Sequence, residues 1–330
     1  MVKCVRIKKT EANKILSQLV KFSDHNYKIT RDEEYVYIPI SEEFVPQVLD
    51  KGYEIIERES PLVSEKKDIT NILAGIKGNF SVDRIGDIAI IETDIDLAGR
   101  EKEIAEALKV RSIFLRSGIT SGIHRVRPVT LLWGEDNPIT VHTENGCQFI
   151  VDVVNCFFNS RNSQERARVA MQVQPCERVV DMFAGVGTFA IQIARRCAYV
   201  EAVDINPTAV ELMYKNIYKN KVAGRVLPHE GDIYEVAPVI GRHMADRIIM
   251  DYPERALEFL DVAAYLAKRK VVLHIYLFAK SHDEAIEKIS NALIQNWFEP
   301  LNFECGVKRE IAPHRYYIGI DVVAKLTHSE

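Results

Sequence analysis

Between Gln172 and Ala279 short apolar runs alternate with amphipathic stretches: RVVDMF, TFAIQIARR, YVEAVDI, PTAVELMYKNIYKN, GRVLPHEGD, ADRIIMDYP, ALEFLDVAAYLAK and KVVLHIYLF. Continuously apolar strands of this length, separated by helix-length segments, bury both of their faces when they lie parallel in a sheet with helices on either side. The stretch that follows, LNFECGVKREIAPHRYYIGIDVVAKL, reads instead as two strands joined in a hairpin. The expected fold is therefore α/β: a doubly wound, mostly parallel sheet that ends in an antiparallel hairpin.

The chain of 330 residues, 47% hydrophobic, is long enough for more than this one sheet. Residues 1–60 read as a small α/β unit. EANKILSQLVKF places Ile15, Leu16, Leu19 and Val20 on one helical face, and EYVYIPIS reads as a strand. The charged, proline-containing ERESPLVSEKKD suits an exposed link. Residues 69–170 form a second unit, with strands at IGDIAIIET and GCQFIVDVV and a helix at GREKEIAEALK whose stripe includes Ile104 and Leu108. The sheet-forming part is then 171–330.

A net charge of -4 gives the chain no global attraction for polyanions, so a nucleic-acid partner has to be held by local patches. One such patch is RSIFLRSGITSGIHRVRP, which carries Arg111, Arg116, Arg125 and Arg127 without a single acid. No stretch approaches a membrane span and the N-terminus lacks an apolar signal core, so a cytoplasmic protein without a membrane partner is expected. The six cysteines are scattered, with no CxxC pair, and support neither a disulfide framework nor a metal site.

Ligands of a doubly wound sheet sit beyond the carboxyl ends of its strands, where the strand order reverses. In VVDMFAGVGTFAI, Gly185 and Gly187 permit a tight turn and close approach of a ligand to backbone, and Asp181 ends the strand. Phe189-Ala190 stands where a dinucleotide fingerprint would place its third glycine, which disfavours a nicotinamide-dependent dehydrogenase. Asp204 ends the next strand about twenty residues on, where an acid meets ribose hydroxyls. Asp232 follows the third. Three acids without a phosphate-binding lysine suit a cationic nucleoside, a description that S-adenosylmethionine fits.

The blocks VVDMFAGVGTFAI, AVDINPTAVELMYKNI and IIMDYPERALEFLD, with TVHTENG and FFNSRNSQERARV upstream and APHRYYIGIDV downstream, resemble the class I tRNA (guanine-37-N1)-methyltransferases of archaea and eukaryotes and their wyosine-pathway relatives. The resemblance covers nearly the whole chain. It implies a Rossmann-like class I methyltransferase domain with smaller N-terminal α/β domains, of which 1–60 contacts the tRNA body and 69–170 serves RNA and the active site. It also implies a tRNA methyltransferase that uses S-adenosylmethionine, and no obligate protein partner is evident in the sequence.

The resemblance further places the base that removes the guanine N1 proton at Glu165 and the donor to O6 at Arg125, with Arg127 as its neighbour. Arg161 falls near the methionine end of the cofactor. Phe183 and Ala184 are expected as pocket walls, Ile205 and Asp251 among the cofactor-binding residues, and Asn206 toward the adenine or its ribose. Where the family commonly has Asn-Leu-Pro, this chain has Asp251-Tyr252-Pro253. An ionised aspartate only accepts hydrogen bonds, so Asp251 is expected to take them from guanine N1–H or N2–H2, with Tyr252 stacking on a flipped base. A wyosine-pathway activity on the same nucleotide, either C7 methylation of the tricyclic base or aminocarboxypropyl transfer, is the neighbouring alternative. A non-catalytic RNA-binding module is a more distant one, disfavoured by intact Glu165 and Arg125.

Overall fold

The computed structural model describes residues 2–24, 27–61, 79–97, 99–118 and 128–327, which fall into two compact units, 1–74 and 75–330. The first unit is a four-stranded sheet of order β2-β3-β1-β4, built from β1 (Val2–Lys8), β2 (Thr30–Arg31), β3 (Tyr35–Pro39) and β4 (Ile55–Arg58). Helices α1 (Lys9–Leu19) and α2 (Val45–Asp50) complete it. Leu19 and Val48 are fully buried with Val5 and Ile38, a self-contained apolar core.

The second unit opens with β5 (Phe80–Ile85), β6 (Ile88–Thr93), β7 (Ser112–Arg116) and β8 (Val129–Gly134), a sheet in sequential order. Its single parallel pair, β6 with β7, is bridged by helix α3 (Glu101–Leu108). A hairpin of β9 (Ile139–Glu144) and β10 (Cys147–Asp152) leads to α4 (Ser163–Gln172).

Then comes the parallel sheet: β11 (Arg178–Asp181), α5 (Thr188–Ala194), β12 (Tyr199–Asp204), α6 (Pro207–Lys219), β13 (Val226–Glu230), α7 (Ile233–Ile240), β14 (Ala245–Met250), α8 (Leu260–Leu266) and β15 (Ala267–Ala279). Helix α9 (His282–Gln295) and the hairpin of β16 (Phe298–Ala312) and β17 (Arg315–Leu326) close it. The order is β13-β12-β11-β14-β15-β17-β16, parallel up to β15 and antiparallel beyond. The sheet and hairpin expected from the sequence are both present.

Consecutive strand residues feed opposite cores, as the two-residue period requires. Val179 shares a core with α5 and α6, whereas Val180 belongs to the core that α7, α8 and α9 help to build. Ile85, Ile88, Ile90 and Phe114 of the β5–β8 sheet join the first of these cores, so residues 75–170 and the parallel sheet share one unit. Two side-chain amides, one on α6 and one at its C-cap, satisfy the backbone of β10. Asn216 accepts from Ile150 N at 2.6 Å and donates back to its carbonyl, and Asn220 does the same at Gln148. Among the described residues no helix is long and apolar enough to cross a membrane, and no group of His, Cys, Asp and Glu is placed to hold a metal.

Candidate active site

Strand β11 pairs in parallel with β12 on one side and β14 on the other, so the strand order reverses at β11. The chain leaves β11 through an elbow, 182–187, that leads into α5. Gly185 and Gly187 have φ of 57° and 89°, in the left-handed region, and a Cβ at Gly187 would lie 2.9 Å from Met213 Cγ. The Gly185 amide donates to Asp204 Oδ2 at 2.6 Å and the Asn206 amide to Asp204 Oδ1 at 2.9 Å, so the carboxylate that ends β12 ties the elbow in place.

A pocket of about 790 Å³ opens at these strand ends. Gly185, Asp204, Ile205 and Asp232 line one side of it, and Phe183, Asp251 and Tyr252 the other. Phe183 meets Tyr252 and Phe259 edge-on, with centroids 5.2 and 5.0 Å apart, which makes a rigid apolar wall. Asp232 also caps α7, accepting from Tyr234 N at 2.9 Å.

A second, more polar cleft of about 1160 Å³ shares Phe157 and Asp251 with the first. Arg161, Pro253, Arg309 and Tyr317 are among its walls. Asp251 Oδ1 accepts from the Tyr317 hydroxyl at 2.8 Å. Arg309 donates to Asn162 Oδ1 at 2.7 Å, and the Asn162 amide donates to the Tyr317 oxygen at 3.2 Å. Burial, followed by the charges of Asp251 and Glu165, raises the Tyr317 pKa well above its ordinary value, so this hydroxyl stays a donor at neutral pH.

Behind this cleft lies Glu165, 4% exposed. Arg168 holds both of its oxygens, at 2.8 and 2.7 Å, and the Tyr276 hydroxyl donates to Oε1 at 2.8 Å. Tyr276 in turn stacks on Tyr317, with centroids 5.5 Å apart and planes 11° from parallel. Arg168 also holds both oxygens of Asp321, which accepts from His274 Nδ1 at 2.7 Å. Arg247 donates to His274 Nε2 at 2.7 Å, so the imidazole is neutral with its proton on Nδ1. Its burial lowers its pKa in the same sense.

The residues expected from the sequence thus fall into three sets. Phe183, Gly185, Asp204, Ile205, Asp232, Asp251 and Tyr252 converge on the first pocket, and Arg161, Asp251 and Pro253 on the second. Arg161 stands in the second cleft with Nε 2.6 Å from Asp83, and Tyr252 belongs to the aromatic wall of the first. Glu165, Asp181, Gly187 and Asn206 support the site from behind. The Asn206 side chain caps α6 at Thr208 N and donates to the Asn155 carbonyl at 2.7 Å. Asp181 is wholly enclosed. Arg125 and Arg127 lie outside the described residues.

Sequence reasoning missed Phe157 and Phe259, apolar residues with no periodic signal of a site, and it left Arg309 and Tyr317 without roles. Tyr317 stands in the downstream block APHRYYIGIDV, whose density of aromatic and basic residues just before an apolar strand is the available signal.

The pattern of the TRM5/TYW2 methyltransferase domain matches residues 140–299, and that of the tRNA methyltransferase 5 N-terminal domain matches residues 4–48. The tRNA (guanine(37)-N(1))-methyltransferase Trm5b of Pyrococcus abyssi is 33% identical over 97% of this chain and 98% of its own. A structure described as the complex of aTrm5 and tRNALeu superposes with a TM-score of 0.71 at 29% identity, covering 97% of this chain and 99% of that one. Methanocaldococcus jannaschii TYW2, solved in complex with AdoMet, is 26% identical with a TM-score of 0.59, and all of it corresponds to 74% of this chain. With its sheet, elbow and strand-end pocket in place, and with a relative matched from end to end, this chain belongs to the TRM5/TYW2 methyltransferase family.

Proposed function

We propose that this protein transfers the methyl group of S-adenosylmethionine to N1 of guanosine 37 in tRNA. The observation that carries this reading is the shared wall of the two pockets at Phe157 and Asp251. An in-line displacement needs donor and acceptor on either side of one opening, held close and aligned. The pocket with the glycine elbow and the acids Asp204 and Asp232 suits a cationic nucleoside, and the more polar cleft suits a flipped base. The match to Trm5b over the whole chain supports the N1 product over the wyosine-pathway alternative, because TYW2 corresponds to only three quarters of this chain.

Bound S-adenosylmethionine supplies an electrophilic methyl group on its sulfonium. The chain's own residues do the rest. Asp204 accepts from the ribose hydroxyls, with Ile205 alongside and Asp232 toward the adenine. Asp251, held by the Tyr317 hydroxyl, accepts from the guanine Watson–Crick edge, while Arg161 and Pro253 border the base. Glu165 takes the N1 proton by exchanging its Tyr276 hydrogen bond for one to the base, and Arg125 meets the charge that builds on O6, with Arg127 beside it. Residues 1–60 contact the tRNA body, and 69–170 help to form the acceptor side.

The test is nucleoside mass spectrometry of an unmodified tRNA transcript incubated with the protein and methyl-labelled S-adenosylmethionine. The expected product is labelled 1-methylguanosine, absent when position 37 carries adenosine. An aminocarboxypropyl product, or label at any other position, contradicts the reading.

A further inference from the structure

Asp181 ends the central strand of the parallel sheet and is 0% exposed, with neither carboxylate oxygen hydrogen-bonded. An ionised carboxylate enclosed in this way is costly unless a positive charge lies close to it. No cation faces it. Its register partners are Ala202 on β12 and Ile249 on β14, so Asp204 and Asp251 stand two residues further along the strands on either side. Both line the pocket, as do Met182 and Phe183, which follow Asp181 directly. The amides of Phe183 and Ala190 favour the ionised form from the elbow and from α5, but neither completes a hydrogen bond of ordinary geometry. Burial first, and the charges of Asp251 and Asp204 after it, push the Asp181 carboxyl up to about 8.

S-adenosylmethionine and its product differ in this pocket by one positive charge, the sulfonium against a neutral thioether. Resting on the reading of the first pocket as the cofactor site, we propose that Asp181 senses this charge, holding a proton when no sulfonium is in the pocket and releasing it when the sulfonium binds. The donor is then bound with release of a proton to solvent and the thioether without it. Reprotonation of Asp181 accompanies loss of the sulfonium charge after transfer.

Calorimetry of the full-length protein at pH 7, in buffers of different ionisation enthalpy, counts the protons released. The probes are S-adenosylmethionine, S-adenosylhomocysteine and a stable analogue with a protonated amine in place of the sulfonium. The two cationic ligands are expected to release close to one proton more than the thioether. In Asp181→Asn the contribution of Asp181 is lost, while the ligands' own amino groups titrate as before, so the excess should fall by close to one proton. Equal release by all three ligands in the wild-type protein, or an undiminished difference in Asp181→Asn, overturns the proposal. If none of the ligands binds the wild-type protein, the cofactor reading fails and this proposal fails with it.

Discussion

Asp204 shows how much of a site a single residue carries. Its carboxylate accepts from the Gly185 and Asn206 amides and also lines the pocket, so the group that shapes the elbow is the one proposed to meet the ribose. Replacing it with alanine removes charge-assisted hydrogen bonding worth about 1.5–3 kcal/mol in all. Asp204→Ala should therefore weaken S-adenosylmethionine binding roughly tenfold to a hundredfold while tRNA affinity changes little. Calorimetry with each ligand checks this, and unchanged cofactor affinity would remove Asp204 from the site. This residue was legible because an acid at a strand end after a glycine elbow is a local pattern. Asn206, two residues on, was not. Whether its amide faces a ligand or caps α6 depends on Asn155, fifty-one residues earlier.

Among the elements, α4 depends on its buried charges. Arg166 pairs with Glu144 through two bonds of 2.6 Å, both side chains at most 4% exposed, and Arg168 joins Glu165 to Asp321. Removing one partner of such a network leaves the others buried and uncompensated, at about 3–5 kcal/mol. Arg168→Ala should thus lower stability by that order at neutral pH, measured by denaturant unfolding. Burial alone would raise the Asp321 pKa, but hydrogen bonds from Arg168 and His274 outweigh it and hold it below its usual 3.8. A carboxyl lowered in the folded state adds stability that is complete above its unfolded value and is lost as pH falls through the folded one. The two proteins should therefore converge on acidification below about pH 4, and a gap that is constant with pH would contradict this assignment. None of this network was visible in the sequence, where Glu165, Arg166 and Arg168 read as well as a charged helix surface. Its partners come from β9, β14, β15 and β17, and only the assembled sheet brings them together.

Across the whole molecule, the alternation of apolar strands and amphipathic helices made the mostly parallel, helix-covered sheet legible, because parallel strands buried on both faces leave few other arrangements. It did not reveal that residues 75–170 share a core with that sheet, since Ile88 and Phe114 look like the interior of any small unit. Residues 1–74, in contrast, bury their own apolar residues. Deleting residues 1–60 should leave a folded protein that binds S-adenosylmethionine with near-parental affinity and has weakened tRNA binding. Loss of cofactor binding on truncation would contradict that independence.

The proposed mechanism turns on the guanine N1 proton, and single-turnover methylation of a tRNA transcript by Glu165→Gln, followed from neutral to alkaline pH, tests its removal most directly. Glutamine keeps the shape and most of the hydrogen-bonding reach but cannot take the proton, so the rate at neutral pH should fall roughly 100-fold or more with little change in binding of either substrate. The deficit should shrink as pH rises toward the ionisation of guanine N1, where solvent removes the proton instead. A Glu165→Gln protein that methylates at the parental rate at neutral pH would contradict the assignment of Glu165 as the base and transfer that role to Asp251, where the two pockets meet.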